Sequence, residues 1–297
     1  MLPMYDPSGI RLPQRRQNSL CAIFNFGSAD SAILPGMPKV SLHPPGTFCW
    51  IELATSDQSA AKDFYGSLFA WAVRDFPMGP NEFYSIFQID GADAGAAYTL
   101  RPDQQAQSVS PHWLLYIAVA DADETANKAA ELGGMVFAPP FDVSDFGRMA
   151  VLADPTGAVF AIWQAKSHRG IGAAGVAGSL CWADLQTLDR EKASSFYGQL
   201  FGWQFTLGKE QDPSGYLHIK SGEEFIGGIP PAHHASPNAP PSWLIYILVS
   251  DCAAATRRAE NLGARTLLAP LMIEGAGQMS VLADPQGAVF ATFQLTR

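Results

Sequence analysis

The apolar and polar residues follow two periods along the chain, and these periods predict its elements. After Asp57, the apolar residues Ala61, Phe64, Tyr65 and Leu68 recur at the three- and four-residue spacing of one helix face. Asp57 is a typical N-cap, because its side chain can accept a hydrogen bond from the first helical turn. Short apolar runs before Asp57 and around two Asp-Pro-x-Gly sequences have the length of strands, and Asp-Pro-x-Gly is a typical tight turn.

This combination of strand and helix is repeated within the chain. Residues 46–71 and 178–203 share 13 identities in 26 positions, and residues 151–164 and 281–294 share 11 in 14. A weaker repeat divides each copy again, since a second strand ending at Asp121 is followed by a second helical pattern. The sequence therefore predicts an α+β fold built from four βαβββ modules.

The repeats also predict the domain organisation. We expect one domain over residues 46–164 and a second over residues 178–297. The joint, residues 165–177, is rich in Gly and Ala and has the composition of a linker. Residues 1–45 contain many prolines and no period, which predicts a flexible N-terminal extension.

The repeated motifs resemble those of the vicinal oxygen chelate superfamily, which includes glyoxalases, bleomycin-resistance proteins and extradiol dioxygenases. Asp57 followed by FYGSLFAW is similar to the family's first helix, and ADPTGAVFAIWQ is similar to its closing turn and strand. The resemblance covers residues 46–294. It implies two glyoxalase-like domains, each with a cup-shaped mixed β-sheet and with helices on the outside.

The resemblance also assigns metal-ligand positions, and this chain departs from the family at every one of them. The six positions hold Trp50, Leu114 and Ala161 in the first copy, and Trp182, Leu244 and Ala291 in the second. None of these side chains can bind a divalent metal ion, which prefers imidazole, carboxylate or thiolate. We therefore expect no metal and no cofactor, and we expect these residues to line a ligand-binding cup. The tryptophans would serve there as a stacking surface or as a plug.

A carboxylate accompanies the tryptophan in each copy. Because residues i and i+2 of a strand share a face, Glu52 should lie beside Trp50, and Asp184 beside Trp182. Both acids are candidate general bases with a pKa raised by burial, or binding groups for a ligand hydroxyl or amine. The alternative is that each is a structural acid that accepts hydrogen bonds from neighbouring strands.

Aromatic residues are expected on the same two faces. Tyr116 and Tyr246 either point a phenol into the cup as a proton donor or fill the core. Two further residues should form walls of the cups: Trp163 and Phe293. Strand parity does not fix which way Tyr84 and its counterpart in the second copy point.

Histidines and cysteines form no recognisable metal or nucleophile motif. His218 lies on a predicted strand and is the one histidine worth testing, whereas His112, His233 and His234 fit surface or structural roles. The four cysteines contain no CxxC pair, which predicts reduced and mostly buried thiols.

Composition and charge narrow the choice of partner. The chain is 47% hydrophobic and 16% charged, which is typical of a globular protein. Its net charge of −9 disfavours nucleic acid and an anionic membrane surface. No apolar run approaches the roughly 20 residues of a membrane span, so a cytoplasmic protein is expected.

Three functional hypotheses follow. The first is a metal-independent protein that binds a small, flat or aromatic organic molecule in its cups. The second is a metal-free lyase, isomerase or hydrolase that uses Glu52 or Asp184 as base. The third is a structural or interaction protein whose cups are filled by side chains. A monomer is plausible because the tandem copies can pair internally, and a homodimer is the alternative.

Overall fold

The computed structural model describes residues 43–80, 82–207, 215–234 and 239–296. The predicted N-terminal extension therefore lies almost entirely outside the described residues. Within them, the chain forms two eight-stranded mixed sheets with helices packed on one face of each, which confirms the predicted α+β fold. No helix in these ranges is long and apolar enough to cross a membrane.

The first sheet is built from two βαβββ modules. Its strands are β1 (Phe48–Thr55), β2 (Ala72–Gly79), β3 (Glu82–Ile89), β4 (Ala92–Thr99), β5 (His112–Ala118), β6 (Met135–Val143), β7 (Gly147–Ala153) and β8 (Val159–Ala165). Its helices are α1 (Gln58–Phe69), the short α2 (Pro102–Ala106) and α3 (Ala122–Glu131).

The second sheet repeats this order. Its strands are β9 (Leu180–Gln186), β10 (Gln204–Leu207), β11 (Leu217–Ser221), β12 (Glu224–Ile229), β13 (Ser242–Leu248), β14 (Arg265–Ile273), β15 (Gly277–Ala283) and β16 (Val289–Leu295). Its helices are α4 (Arg190–Phe201) and α5 (Cys252–Asn261), with a 3₁₀ turn at Ala232–His234.

Both sheets have the same topology. The strand order is β2-β3-β4-β1-β5-β8-β7-β6 in the first sheet and β10-β11-β12-β9-β13-β16-β15-β14 in the second. The two modules of each sheet meet at one antiparallel pair, β1 with β5 and β9 with β13. The first strands of all four modules therefore lie at the centres of the sheets, where their side chains are the most enclosed.

The helices form as their sequence patterns predict. The Asp57 carboxylate accepts a hydrogen bond from the Ala60 amide at the start of α1. On α1 the predicted apolar face is buried, and the equivalent face of α4 is buried in the same way. Asp121 and Asp189 cap α3 and α4 through the same contact.

The two domains pack through the faces of the sheets that carry these helices. Helix α1 contacts α5, and α3 contacts α4. The Tyr65 hydroxyl on α1 donates to Asp284 Oδ2 of the second domain over 2.9 Å and accepts from the Trp113 indole over 3.0 Å. In the mirrored position Tyr197 faces Asp154 and accepts from Trp243 over 3.0 Å. The opposite faces of the sheets, where the candidate site residues lie, point away from this interface.

Candidate functional site

Strand register brings the predicted residues of the first copy together on one sheet face. Across the β1–β5 pair, Trp50 lies opposite Tyr116, and Glu52 lies opposite Leu114. Tyr116 is in turn level with Ala161 on the parallel neighbour β8. Paired residues of neighbouring strands share a face, so these five side chains line one surface, which we call the first cup.

The second copy has the same arrangement. Trp182 lies opposite Tyr246, and Asp184 lies opposite Leu244, across the β9–β13 pair. Tyr246 is level with Ala291 on β16. We call this surface the second cup. Trp163 and Phe293 lie on the same faces of β8 and β16, two residues beyond the alanines.

In the first cup, Glu52 is the centre of a hydrogen-bond network. The Tyr84 hydroxyl donates to Glu52 Oε2 over 2.7 Å, and the Tyr116 hydroxyl donates to Glu52 Oε1 over 3.0 Å. The Trp50 indole N–H donates to the Tyr84 oxygen over 3.1 Å. Tyr84 therefore faces the cup. Strand parity alone did not predict this, because β3 is connected to β1 only through its pairing with β4.

In the second cup, Asp184 has a similar but tighter set of partners. Tyr216 donates to Asp184 Oδ1 over 2.5 Å, and Tyr246 donates to Oδ2 over 2.7 Å. The Trp182 indole lies 3.1 Å from Asp184 Oδ1 and 2.9 Å from the Tyr216 oxygen, so its N–H is shared between them. The hydrogen-bond network of each cup thus joins one carboxylate, two phenols and one indole.

Burial changes the acidity of these groups. Loss of solvent raises the pKa of Glu52, although the two phenol hydrogen bonds oppose part of this change. The same cause raises the pKa of Asp184 to about 6. Burial, together with the adjacent carboxylate, also raises the pKa of all four tyrosines, Tyr84, Tyr116, Tyr216 and Tyr246. The phenols therefore remain protonated donors, and Asp184, with its pKa of about 6, is able to exchange a proton near neutral pH.

The two cups differ in the solvent exposure of the acid and of one tyrosine that bonds to it. Glu52 and Tyr84 are partly exposed, whereas Asp184 is only 2% exposed and Tyr216 is fully buried. Within the first cup, the tryptophan at the family ligand position is also covered, since Trp50 is 4% exposed. Trp50 is therefore closer to a plug than to an open stacking surface.

Several accessible residues of the first cup could not be identified from the sequence pattern. Tyr98 pairs with Tyr84 on the cup face of β4 and is partly exposed. On the opposite side, Phe141 lies level with Met149, and Phe141 is 45% exposed. Accessible aromatic residues therefore lie on the cup face both on the β4 side of Glu52 and on the opposite edge strand, β6.

The linker closes one end of the first cup. The Ile171 amide donates to the Cys49 carbonyl over 2.8 Å, and the Gly172 amide donates to the Asp93 carbonyl over 2.7 Å. These bonds place the His168 ring edge-on to Trp50, with the ring centroids 4.7 Å apart. His168 Nε2 lies 3.5 Å from Asp93 Oδ2. The predicted linker is thus a strap over the Trp50 end of the cup, and sequence periodicity holds no signal for this contact.

The residues present do not fit the metal that the fold family implies. The equivalent positions hold indole, isobutyl and methyl groups, and the carboxylate nearest to them accepts a phenol on each oxygen. Among the described residues, no three His, Cys, Asp or Glu side chains are grouped as a metal site would need.

Comparison with known proteins identifies similar chains. Residues 47–162 match the sequence family described as the Glyoxalase/Bleomycin resistance protein/Dioxygenase superfamily, and residues 182–293 match the Glyoxalase-like domain. CFP32 of Mycobacterium bovis, which is named as a glyoxylase, is 37% identical over 261 residues, covering 87% of this chain and 98% of that protein.

Two further similarities concern an anthracycline protein and a solved structure. The anthracycline biosynthesis protein DauV of a Streptomyces species is 31% identical over 266 residues, covering 84% of this chain and 94% of DauV. The Mn(II)-bound glyoxalase from Novosphingobium aromaticivorans has a similar fold, with a TM-score of 0.59 and 14% identity over 84% of this chain and 82% of that one.

Proposed function

Because this chain belongs to the glyoxalase/bleomycin resistance protein/dioxygenase superfamily, we propose that it uses the family's cup to bind a small aromatic organic molecule without a metal ion. The first cup is the proposed binding site. In this proposal the ligand is held by Glu52 and the phenols around it, on the surface where metal-using members hold their ion.

The partial exposure of the residue Glu52, whose carboxylate is bonded by two phenols, is the observation that carries the proposal. The carboxylate accepts one hydrogen bond on each oxygen from a protonated phenol, Tyr84 on one side and Tyr116 on the other. Each carboxylate oxygen has a second lone pair, so Glu52 can also accept a hydrogen bond from a ligand hydroxyl or amine. A ligand that brings such a donor would be recognised by a charge-assisted hydrogen bond, which is stronger than a neutral one.

The walls of the first cup support an aromatic ligand. Tyr98 and Phe76 lie on one side of Glu52, and Phe141 and Met149 lie on the other; all four keep some exposure. Flat rings gain from such surfaces through offset or edge-on contacts. The relation to an anthracycline biosynthesis protein is in keeping with a flat polycyclic ligand.

Binding should be tested with a flat, hydroxylated probe. We expect a dihydroxyanthraquinone to bind the purified protein in isothermal titration calorimetry, and to bind equally well after the protein is treated with a chelator. Glu52→Gln should weaken binding about 10- to 100-fold, since hydrogen bonds to charged groups contribute about 1.5–3 kcal/mol. Glu82→Gln, on an exposed strand end, is the matched control.

Two results would contradict the proposal. One is stoichiometric zinc, iron, nickel or manganese in the purified protein, with binding lost on chelation. The other is unchanged probe affinity in Glu52→Gln. Mass spectrometry of molecules that co-purify with the wild-type chain, and not with Glu52→Gln, would identify the natural ligand class.

Acid–base catalysis is a second candidate, favoured by the raised pKa of Glu52. A carboxyl group with a pKa closer to neutrality is a better general base, and Tyr116 beside it could return the proton. If the chain is a lyase or isomerase of this kind, turnover should survive chelation and be lost in Glu52→Gln. Tight binding without turnover would favour the binding role.

The third hypothesis, a cup filled by side chains, is supported for the second cup alone. Asp184 there is nearly inaccessible and has phenol or indole donors on both oxygens. We infer that this acid has a structural role. Since the tandem domains already pair through their helical faces, we also expect a monomer, which light scattering would test.

A further inference from the structure

One pair of equivalent residues differs at the point where the two cups diverge. Ala96 on β4 lies level with Glu52 and opposite Ile86. The equivalent position on β12 is Gly228, which lies level with Asp184. Both positions face their cups, so the difference is one methyl group next to the acid of each cup.

In the second cup the missing methyl group is replaced by a tyrosine ring. A Cβ atom built on Gly228 would lie 2.0 Å from the Tyr216 hydroxyl oxygen and 2.1 Å from its Cζ atom. Real Cβ atoms do not approach other atoms so closely, so Tyr216 could not keep its place if residue 228 had a side chain. Gly228 has no positive φ angle, and its backbone therefore does not itself require glycine.

The position of the ring accounts for the burial of the acid. Tyr216 sits directly over Gly228, fully buried, with its hydroxyl on Asp184. Aspartate is one methylene shorter than glutamate, which keeps the carboxylate close to its strand beneath the ring. In the first cup, Ala96 occupies the corresponding space, and Tyr84 and Glu52 both retain exposure.

We propose that position 96/228 determines which cup binds ligand: Gly228 lets Tyr216 seal the second cup, and Ala96 keeps the first cup open. The predicted number of ligand-binding sites per chain rests on the proposed binding function. The packing of Tyr216 over Gly228, which we call the seal, does not. The chain should accordingly bind one ligand molecule, next to Glu52.

The stoichiometry can be measured by native mass spectrometry with the dihydroxyanthraquinone probe. We expect one probe per wild-type chain, none in Glu52→Gln at the same concentration, and one in Asp184→Asn. Two probes per chain, or loss of the probe in Asp184→Asn, would overturn the assignment of the site to the first cup. Failure of the probe to bind any variant would instead count against the proposed function.

The seal itself is tested without a ligand, by a double-mutant cycle on thermal stability. Gly228→Ala should lower Tm by about 3–8 °C, because the added methyl group overpacks the site. In a Tyr216→Ala background, where the ring is gone, the same substitution should change Tm by less than about 2 °C. Equal losses in both backgrounds would show that the ring and the glycine are not coupled, and would overturn the proposal.

Position 96 offers the matched control. Ala96→Gly in the first cup should show little coupling to Tyr84→Ala, since Tyr84 does not occupy the space of the missing methyl group. Coupling as large as that between Gly228 and Tyr216 would mean that the two cups are built alike.

Discussion

The region between the domains and the surfaces of the two cups have diverged to different degrees within one chain. Between the domains, the two copies make nearly the same contacts. The Trp71 indole donates to the Gly178 carbonyl over 3.0 Å, and its counterpart Trp203 donates to the Gly46 carbonyl over 2.7 Å. In the cups, equivalent residues have different sizes, exposures and partners.

This difference indicates where the tandem arrangement is structural and where it is open to specialisation. The interface buries phenol, indole and carboxylate groups that depend on partners in the other domain, so a change in one copy must be matched in the other. A cup faces away from this interface and can change independently. The two cups differ in this way: the first combines Glu52 with Ala96, and the second combines Asp184 with Gly228.

The largest effect should come from truncating an aromatic residue at the interface. Phe290 is fully buried and packs edge-on against Phe64 and Tyr65 of the other domain. We expect Phe290→Ala to lower the free energy of unfolding by about 3–5 kcal/mol in urea denaturation. Phe160→Ala, the mirrored change, should cost a similar amount if the interface is symmetric.

The neighbouring residue is the control for this experiment. Val289 is 39% exposed, so Val289→Ala should change stability by less than about 0.5 kcal/mol. If the losses of unfolding free energy in Phe290→Ala and Phe160→Ala differ by more than about 2 kcal/mol, the two copies do not contribute equally to the interface, and the comparison fails.

The next effect is the pH dependence of stability contributed by Asp184. Its pKa of about 6 in the folded protein lies above the ordinary value of 3.8, so the folded state holds the extra proton. The stability associated with that proton is present at low pH and is lost as the pH rises through about 6. From pH 4 to pH 7, the wild type should lose on the order of 2 kcal/mol relative to Asp184→Asn.

Urea denaturation of both proteins across this pH range measures the difference directly. Glu52→Gln should show a change of the same sign, because the pKa of Glu52 is also raised. A difference between wild type and Asp184→Asn that stays constant with pH would mean that Asp184 ionises as it does in water and is not sealed.

A smaller effect is expected from removing the bridging hydroxyl groups of the interface. Tyr65→Phe removes the donor to Asp284 and the acceptor for Trp113, both buried. A buried polar group left without its partner costs about 1–3 kcal/mol. Thermal denaturation should show a similar loss for Tyr197→Phe, and a loss confined to one of the two variants would show that the mirrored contacts are unequal.

The smallest effect on stability should come from the strap. His168→Ala removes the ring beside Trp50 and the contact with Asp93, and we expect it to cost less than about 1 kcal/mol. Hydrogen exchange of the peptide that contains Ile171 and Gly172 should nonetheless become several-fold faster. His112→Ala is the control, because its ring bonds to the Ser110 carbonyl elsewhere. Unchanged exchange in His168→Ala would mean that the backbone alone holds the strap.

Much of the fold could be predicted because its signals are local. The helical face of α1 and its Asp57 cap are sequence patterns, and both are present in the structure. The first strand after each of the four longer helices carries no such pattern: β6, for example, contains Pro139 and Pro140, pairs irregularly and is largely exposed at the sheet edge. An edge strand buries little on either face, so it needs no alternation of apolar and polar residues.

For the candidate site, the sequence could predict only which residues of a strand share a face. Parity placed Glu52 with Trp50, and the β1–β5 register placed Tyr116 on the same face. The approach of His168 depends on a chain reversal after β8, and the burial of Asp184 depends on a glycine 44 residues later in the sequence. Both are long-range packing effects, which leave no periodic signal in the residues concerned.

A crystal structure of the chain soaked with the dihydroxyanthraquinone probe is the most direct test of the central claim. We expect density for one probe in the first cup, within hydrogen-bond distance of Glu52 and between Tyr98 and Phe141, and no anomalous signal from a transition metal there. Probe density beside Asp184, or a metal ion in either cup, would contradict the account.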